Sequence, residues 1–463
     1  MLRQDAARGD HPRADRPTGV TSVRSVSATA LACALVTACC LLLPSAIRAE
    51  VLDPRNIHSV TLNNGLRVIV CEDEAAPVVS AEIVVKVGSA DESPEESGIA
   101  HLLEHVCWVG DQQNDPRAAI EDMGGATNAG TLRDFTRYYA TVQPSGLIPA
   151  LRALAAMVLR GSFDEGVISR ERAVIQEEVA TRADRPRAAL NDLAFESLFG
   201  SAHPYARHIE GTEQSLASIT SARLALFHRT WYVPNNMAVI VGGDVRFDAV
   251  VKEVERRFGS LAPEAVPARA ASPGAGSAAA RERVVAAPLQ DAYLIAAFAS
   301  PAVSDPATVC ANDVAATILG NPQVGRLVKQ LQGERRLVKA TGVDFLTQRA
   351  PGLFGVWAVC DPDKIEEARA AIKAELGRLA SEPVSPGELT TAKRLLAAEY
   401  AFSNETAAER VATLGFYEAI DSYRLAAEYL PLLRSVTAAD IARAAGSYAG
   451  EPFWIIMRPG SEQ

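Results

Sequence analysis

The chain has 463 residues, of which 48% are hydrophobic and 22% charged, and its formal net charge is −10. That length exceeds one ordinary core and predicts two or three domains, while the composition is that of a globular protein and excludes disorder over most of the chain. An acidic chain without a basic run is a poor nucleic-acid binder, because such binding draws its affinity from Lys and Arg on phosphate; it is compatible with cationic or mixed peptide substrates.

Residues 1–49 stand apart. Arg3, Arg8, Arg13, Arg16 and Arg24 precede an uncharged stretch from Ser25 to Ile47, apolar from Ala28 to Leu43 and followed by Pro44-Ser45-Ala46-Ile47-Arg48-Ala49. A basic region, a short apolar run and a small residue at the cleavage point describe a secretory signal peptide, too short for a span of about 20 residues. Cleavage after Ala49 and a periplasmic or secreted protein are therefore expected. An uncleaved membrane anchor is the first alternative. A lipoprotein-type site at Val36-Thr37-Ala38-Cys39 is the second, disfavoured by the apolar Cys40-Leu41-Leu42-Leu43 that follows. Removing 1–49 takes away six basic and three acidic residues, a net +3, and brings −10 to −13. Cys33, Cys39 and Cys40 leave with it. Cys71, Cys107, Cys310 and Cys360 remain with no C-x-x-C pair, so no zinc ribbon or thioredoxin-like motif is present. Export permits disulfides, but apolar neighbours such as Val68-Ile69-Val70 predict buried free thiols.

From Ser59 to Val70 the pattern is two strands about Asn63-Asn64-Gly65, a strong hairpin signal. Val78 to Val87 alternates as a third strand, Gly98 to Trp108 is helical, and Thr136 to Val142 returns to strand composition. From Pro149 to about Ala183 the period is helical, broken near Gly161-Ser162-Phe163, and Met237 to Gly243 is a buried strand. Between Pro263 and Ala280 the composition turns to Ala, Pro, Gly and Ser, a semi-extended linker. Beyond it the order recurs: strands at Ala292–Ala299 and Leu353–Val359, a helix around Val309–Leu319, long helices from Pro362 and Ser385, and a last strand at Phe453–Met457. An imperfect internal duplication follows, with domains at 50–262 and 282–463 joined by a linker at 263–281.

The most informative residues are His101-Leu102-Leu103-Glu104-His105. Four-residue spacing puts both imidazoles on one helix face with Glu104 beside them, so two metal ligands and a base fall within about 6 Å of axis rise. The order inverts the commoner His-Glu-x-x-His zinc signature. At ordinary frequencies of about 2% His and 6% Glu, chance supplies this pattern in roughly one such chain in a hundred, so a third ligand is needed to support it. Glu171 and Glu178, in Glu171-Arg172-Ala173-Val174-Ile175-Gln176-Glu177-Glu178, are seven apart, close to two helical turns. Both can face one cavity while Val174, Ile175 and Val179 pack elsewhere. Taken alone, the same segment is equally a solvated acidic helix face.

Together these residues resemble the pitrilysin/insulinase superfamily of inverted-motif zinc peptidases, within it the branch of mitochondrial processing peptidase and its bacterial relatives. The similarity runs from about Ile57 to the end. It rests on Gly98 to His105, on Glu171 to Glu178, on Gly124-Gly125-Ala126-Thr127-Asn128-Ala129 followed by Asp134-Phe135-Thr136, and on Asn235-Asn236-Met237 before a Val-rich strand. The resemblance implies an α+β fold of two homologous domains, each a mainly antiparallel sheet covered by helices. It implies one zinc ion per chain on His101, His105 and Glu178, with Glu104 as general base and Glu171 as an acidic group behind the ligands. Glu177 competes for the ligand position but lies about 100° away around the helix. Asn128 and Ala129 resemble the family's edge-strand segment, where an extended peptide substrate would add by backbone pairing; Asn128 also suits a turn after Gly124-Gly125.

The second half departs from the pattern. It has no His-x-x-Glu-His, and the stretch Gln330 to Thr341, where self-sufficient members carry an Arg and a Tyr seven apart, contains no aromatic residue. Gln332 stands where Arg is expected and Lys339 where Tyr is expected. The expectation is a zinc-bearing subunit of a heterodimer, with a second related peptidase-family chain supplying the Arg/Tyr pair. The alternatives are a self-sufficient monomer or homodimer in which Lys339 or Arg335 stands in, and a non-catalytic peptide-binding scaffold.

Overall fold

In the computed structural model of the protein the described residues are 51–110, 115–161, 163–183, 185–269 and 281–460. The leader expected at 1–49, Ser162, and 270–280 of the expected linker lie outside them. The Asn-Gly signal gives the predicted hairpin: β1 (Ile57–Thr61) and β2 (Arg67–Glu72) pair antiparallel from Ile57↔Cys71 to Thr61↔Arg67, about a turn with Gly65 at φ +85°. With β3 (Val79–Val85), β4 (Ala126–Thr131), β5 (Thr136–Val142) and β6 (Met237–Gly243) they form a six-stranded sheet in the order β1-β2-β6-β3-β5-β4. A second, five-stranded sheet runs β7-β11-β8-β10-β9, from β7 (Glu282–Ala287), β8 (Ala292–Ala299), β9 (Ala340–Phe345), β10 (Leu353–Cys360) and β11 (Phe453–Pro459). Both are mainly antiparallel, with one parallel pair each, β2 with β6 and β11 with β7. Strands β7 and β9 carry no clear local signal, since most of their residues are only partly buried.

The central strands β3 and β6 are buried along their whole length because both faces are covered, and β3 keeps Ser80 and Glu82 within an otherwise apolar run. On one face Val79, Ile83, Val239 and Val241 meet α1 (Ile99–Val109) and α2 (Leu147–Val158) of the same half. The other face is covered from across the molecule. Among the helices that follow, α3 (Glu165–Ala183) flanks α1, and α4 (Pro186–Phe199) lies on β8 and β11 of the second sheet, joining Leu190 and Phe195 to Ile295 and Ile455. In the second half α5 (Pro306–Gly320) occupies the place of α1, between β8 and β9, with α6 (Pro386–Phe402) beside it. Then α7 (Ala407–Ile420) lies on β3 and β6, burying Val411 and Leu414 against Ile69, Val84 and Ile240. Each sheet thus receives one helix from the opposite half, and Val51–Gln463 packs as one unit. Full burial of a Leu or Val contributes about 1.5–3 kcal/mol, so this exchange is a large part of what joins the halves.

Cation–carboxylate pairs cross the same boundary. The buried Glu418 of α7 binds Lys86 at 2.8 Å and Arg67 at 3.2 Å, and Arg410 binds Asp73 at 2.6 Å. Cys71, Cys107, Cys310 and Cys360 are free and buried, as their apolar neighbours predict, and burial pushes the Cys71 thiol up to about 11.

Candidate metal centre

The helix carrying the five-residue motif is fixed at its first turn. Gly98 adopts φ +89°, and a Cβ there would lie 2.7 Å from the Glu210 carbonyl oxygen, so only glycine suits the position. The buried Glu92 carboxylate accepts the Gly98 and Ala100 amides, each at 2.9 Å, satisfying two donors that a helix start leaves without intrahelical partners. Leu102, Leu103 and Val106 are fully buried in the core, which turns His101, Glu104 and His105 toward α3.

There the ligand set assembles. The Glu178 Oε2 atom lies 3.7 Å from Nε2 of His101 and 3.7 Å from Nε2 of His105, and the two rings meet edge to face at 4.7 Å. Ligand atoms of all three residues fall within 4.8 Å of one another, the one such group of possible ligands among the described residues. Metal–ligand distances of about 2.0–2.1 Å at tetrahedral angles place ligand atoms roughly 3.4 Å apart, close to this spacing, and a His₂Glu donor set is one that zinc takes at catalytic sites. Glu171 is buried and its Oε2 lies 3.3 Å from His105 Nδ1, so it holds the tautomer that leaves Nε2 free to ligate. Burial, then His105 and Arg182, push His101 down to about 3, which keeps its imidazole neutral as a ligand must be.

Glu178 is 46% exposed whereas the histidines are nearly buried, so the group opens to solvent on the α3 side. Glu177 is exposed and outside the ligand group, as its helical angle predicts. Of Val174, Ile175 and Val179, expected to pack away from the cavity, only Ile175 is covered. Ile175 packs into the core, but Val174 and Val179 are 42% and 36% exposed, because α3 is covered on only part of its circumference. One turn past Glu178, Arg182 grips Asp192 with two bonds of 2.9 and 3.0 Å and Glu210 at 2.6 Å, tying the end of α3 to α4 and to the segment packed on Gly98.

Glu104 is buried, and burial pushes its carboxyl up to about 7, against the opposing pull of His105 and of a Thr131 hydrogen bond. A base of that affinity beside the ligand cluster is matched to neutral pH. Thr131 Oγ1 donates to Glu104 Oε2 at 3.1 Å. Sequence reasoning passed over Thr131, although the strand period of two puts it on the face of Ala129. Asn128 and Ala129 sit on β4, the edge of the sheet, as the family resemblance implies rather than in a turn. The exposed Asn128 side chain accepts the Ala129 amide at 2.9 Å.

In the second half, Gln332 lies in a π-helical segment, Val328–Glu334, and donates to the Lys339 carbonyl at 3.0 Å. The Lys339 ammonium binds Asp291 at 2.6 Å and Asp361 at 2.9 Å, and those hydrogen bonds hold its pKa above the usual lysine value. It is committed within its own half.

A family profile described as "Insulinase (Peptidase family M16)" matches residues 67–213, and one described as "Peptidase M16 inactive domain" matches 218–396. An uncharacterized zinc protease of Mycobacterium leprae is 31% identical over 346 residues, covering 72% of this chain and 76% of the relative. The probable mitochondrial-processing peptidase subunit beta of Arabidopsis thaliana is 30% identical over 363 residues, covering 75% and 67%. Among solved structures, a protease from Helicobacter pylori superposes with a TM-score of 0.79 at 24% identity, covering 87% of this chain and 99% of that one, and so shares the fold. With both halves matched and the inverted motif in place, the chain belongs to the insulinase family of peptidases, M16.

Proposed function

We propose that this protein is an exported zinc metalloendopeptidase that hydrolyses unfolded or extended peptides, with one zinc per chain on His101, His105 and Glu178. The observation that carries the reading is the meeting of both imidazoles with Glu178 at 3.7 Å while the buried Glu104 carboxylate stands beside them. Zinc, when bound, lowers the pKa of a coordinated water toward about 7 and polarises the peptide carbonyl. Glu104 takes the proton from the attacking water and returns it to the leaving amine. Glu171 keeps His105 in the ligating tautomer. The open edge of β4 at Asn128 and Ala129 supports an extended substrate, added as one more strand once the Asn128 side chain releases the Ala129 amide. Export is supported by the basic and then apolar pattern of residues 1–49. Zinc analysis of the purified protein, paired with Glu104→Gln in a casein-cleavage assay, tests the reading. Bound zinc with activity lost in the variant is expected; no metal and no cleavage, alone or with a related chain, sinks it.

The engagement of Lys339 by Asp291 and Asp361 removes one of the two residues that could stand in for the Arg/Tyr pair, leaving the exposed Arg335, and so supports the zinc-bearing subunit of a heterodimer. A relative named as a subunit beta supports the same reading. Oxyanion-type donors are worth about 3 kcal/mol each, so a second chain supplying Arg and Tyr would raise turnover on the order of a hundredfold or more. Full turnover by the isolated chain, with no gain from a related one, would remove the heterodimer.

A further inference from the structure

We propose that Thr131 is a positioning residue for Glu104, holding the carboxylate of the base in one orientation; this rests on the reading of Glu104 given above. The last torsion of a Glu side chain, between sp³ and sp² carbons, is broad, so burial alone leaves the carboxylate plane undetermined. Directed donors select an orientation, and Thr131 supplies two of them, its hydroxyl and its backbone amide. Thr131 Oγ1 gives its proton to Glu104 Oε2 at 3.1 Å, and that same oxygen lies 3.8 Å from His101 Nε2. The neighbouring Thr136 hydroxyl spends its proton on the Val87 carbonyl at 2.9 Å, so it does not compete as a donor for the carboxylate.

The strand that carries Thr131 is itself held. At the β4–β5 turn, the Leu132 and Arg133 carbonyls accept the Ser89 and Ala90 amides at 3.2 and 2.9 Å. The buried Asp134 accepts the Tyr205 hydroxyl at 2.8 Å and, from the second half, the Arg349 amide at 3.0 Å and its guanidinium at 3.1 Å. A hydroxyl placed by so many partners works as a fixed reference for the side chain it binds. Because β4 also offers the free sheet edge, the base is registered on the same strand to which an extended peptide would add.

The test uses the full chain, with its related subunit if one is required, and fluorescein-labelled casein as the unfolded substrate. Thr131→Val, which keeps the shape and removes the hydroxyl, is expected to lower kcat about tenfold or more with KM and zinc content unchanged and the thermal midpoint lowered by only a few degrees, since hydrogen bonds to charged groups are among the stronger ones. Thr131→Ser is expected to recover kcat to within about twofold of wild type, and Thr131→Val added to Glu104→Gln to cost nothing further. A crystal structure of Thr131→Val, independent of activity, is expected to show Glu104 in more than one carboxylate orientation; Thr131→Ala serves the same comparison if the Val variant does not fold. The proposal is overturned if Glu104 keeps a single orientation without the hydroxyl, or if kcat is unchanged. Retained cleavage by Glu104→Gln would instead overturn the reading of Glu104 as the base, and the structural result for Thr131 would still decide this one.

Discussion

Helix α1 and its counterpart α5 occupy the same position in their respective halves, each following a central strand and preceding the edge strand, and each flanked by a long helix, α3 or α6. Their polar side chains are used differently. In α1, His101, Glu104 and His105 converge on Glu178 from α3. In α5, Asn312 donates to Thr308 at 2.8 Å and accepts the Tyr448 hydroxyl at 2.5 Å, and Asp313 accepts the Tyr429 hydroxyl at 3.1 Å. Helix α5 has turned its polar groups to packing within its own half. The architecture is thus indifferent to chemistry: a handful of side chains on one helix pair separates a candidate metal centre from a structural core. The second half still matters to the first, because it lays α7 on β3 and β6 and clamps the β4–β5 turn through Arg349.

Helices α1 and α5 differ most at the candidate metal ligands. His105→Ala and Glu178→Ala are expected to reduce bound zinc from one per chain to none, measured by atomic emission, with cleavage abolished; zinc remaining in either variant would mean that another site holds it. Glu104→Gln should keep the zinc and lower kcat by about 10²–10⁴, the usual worth of a positioned base. In packing, Leu414→Ala on α7 is expected to cost about 2–5 kcal/mol in denaturant unfolding, as should Leu190→Ala on α4. If either cost under about 1 kcal/mol, the exchanged helices would be ornaments to the sheets they cover. Glu171→Gln should weaken zinc affinity or activity about 10–100-fold, the range seen when a ligand's supporting partner is lost. Smallest of all, Lys339→Ala should leave casein turnover within about twofold of wild type, because its charge is already engaged by the partly exposed Asp291 and Asp361; a larger fall would restore the self-sufficient alternative.

By itself the sequence determined what local geometry controls. Helical spacing put His101 and His105 on one face, the seven-residue interval carried Glu171 and Glu178 to the same side, and Asn-Gly made the β1–β2 hairpin. The central strand β6 was legible because burial on both faces leaves a continuous apolar run, and β3 because its residues alternate. Tertiary structure alone decided the rest. No period in the chain says that α4 and α7 cross to the opposite sheets, that Thr131 reaches Glu104 across 27 positions, or that Asp291 and Asp361 claim Lys339. Val174 and Val179 make the same point from the other side: a helix pattern shows which residues share a face, but only the packed neighbours decide which face is covered. Such contacts join residues far apart in the chain, where each partner is an ordinary threonine, lysine or valine until the fold brings the other to it.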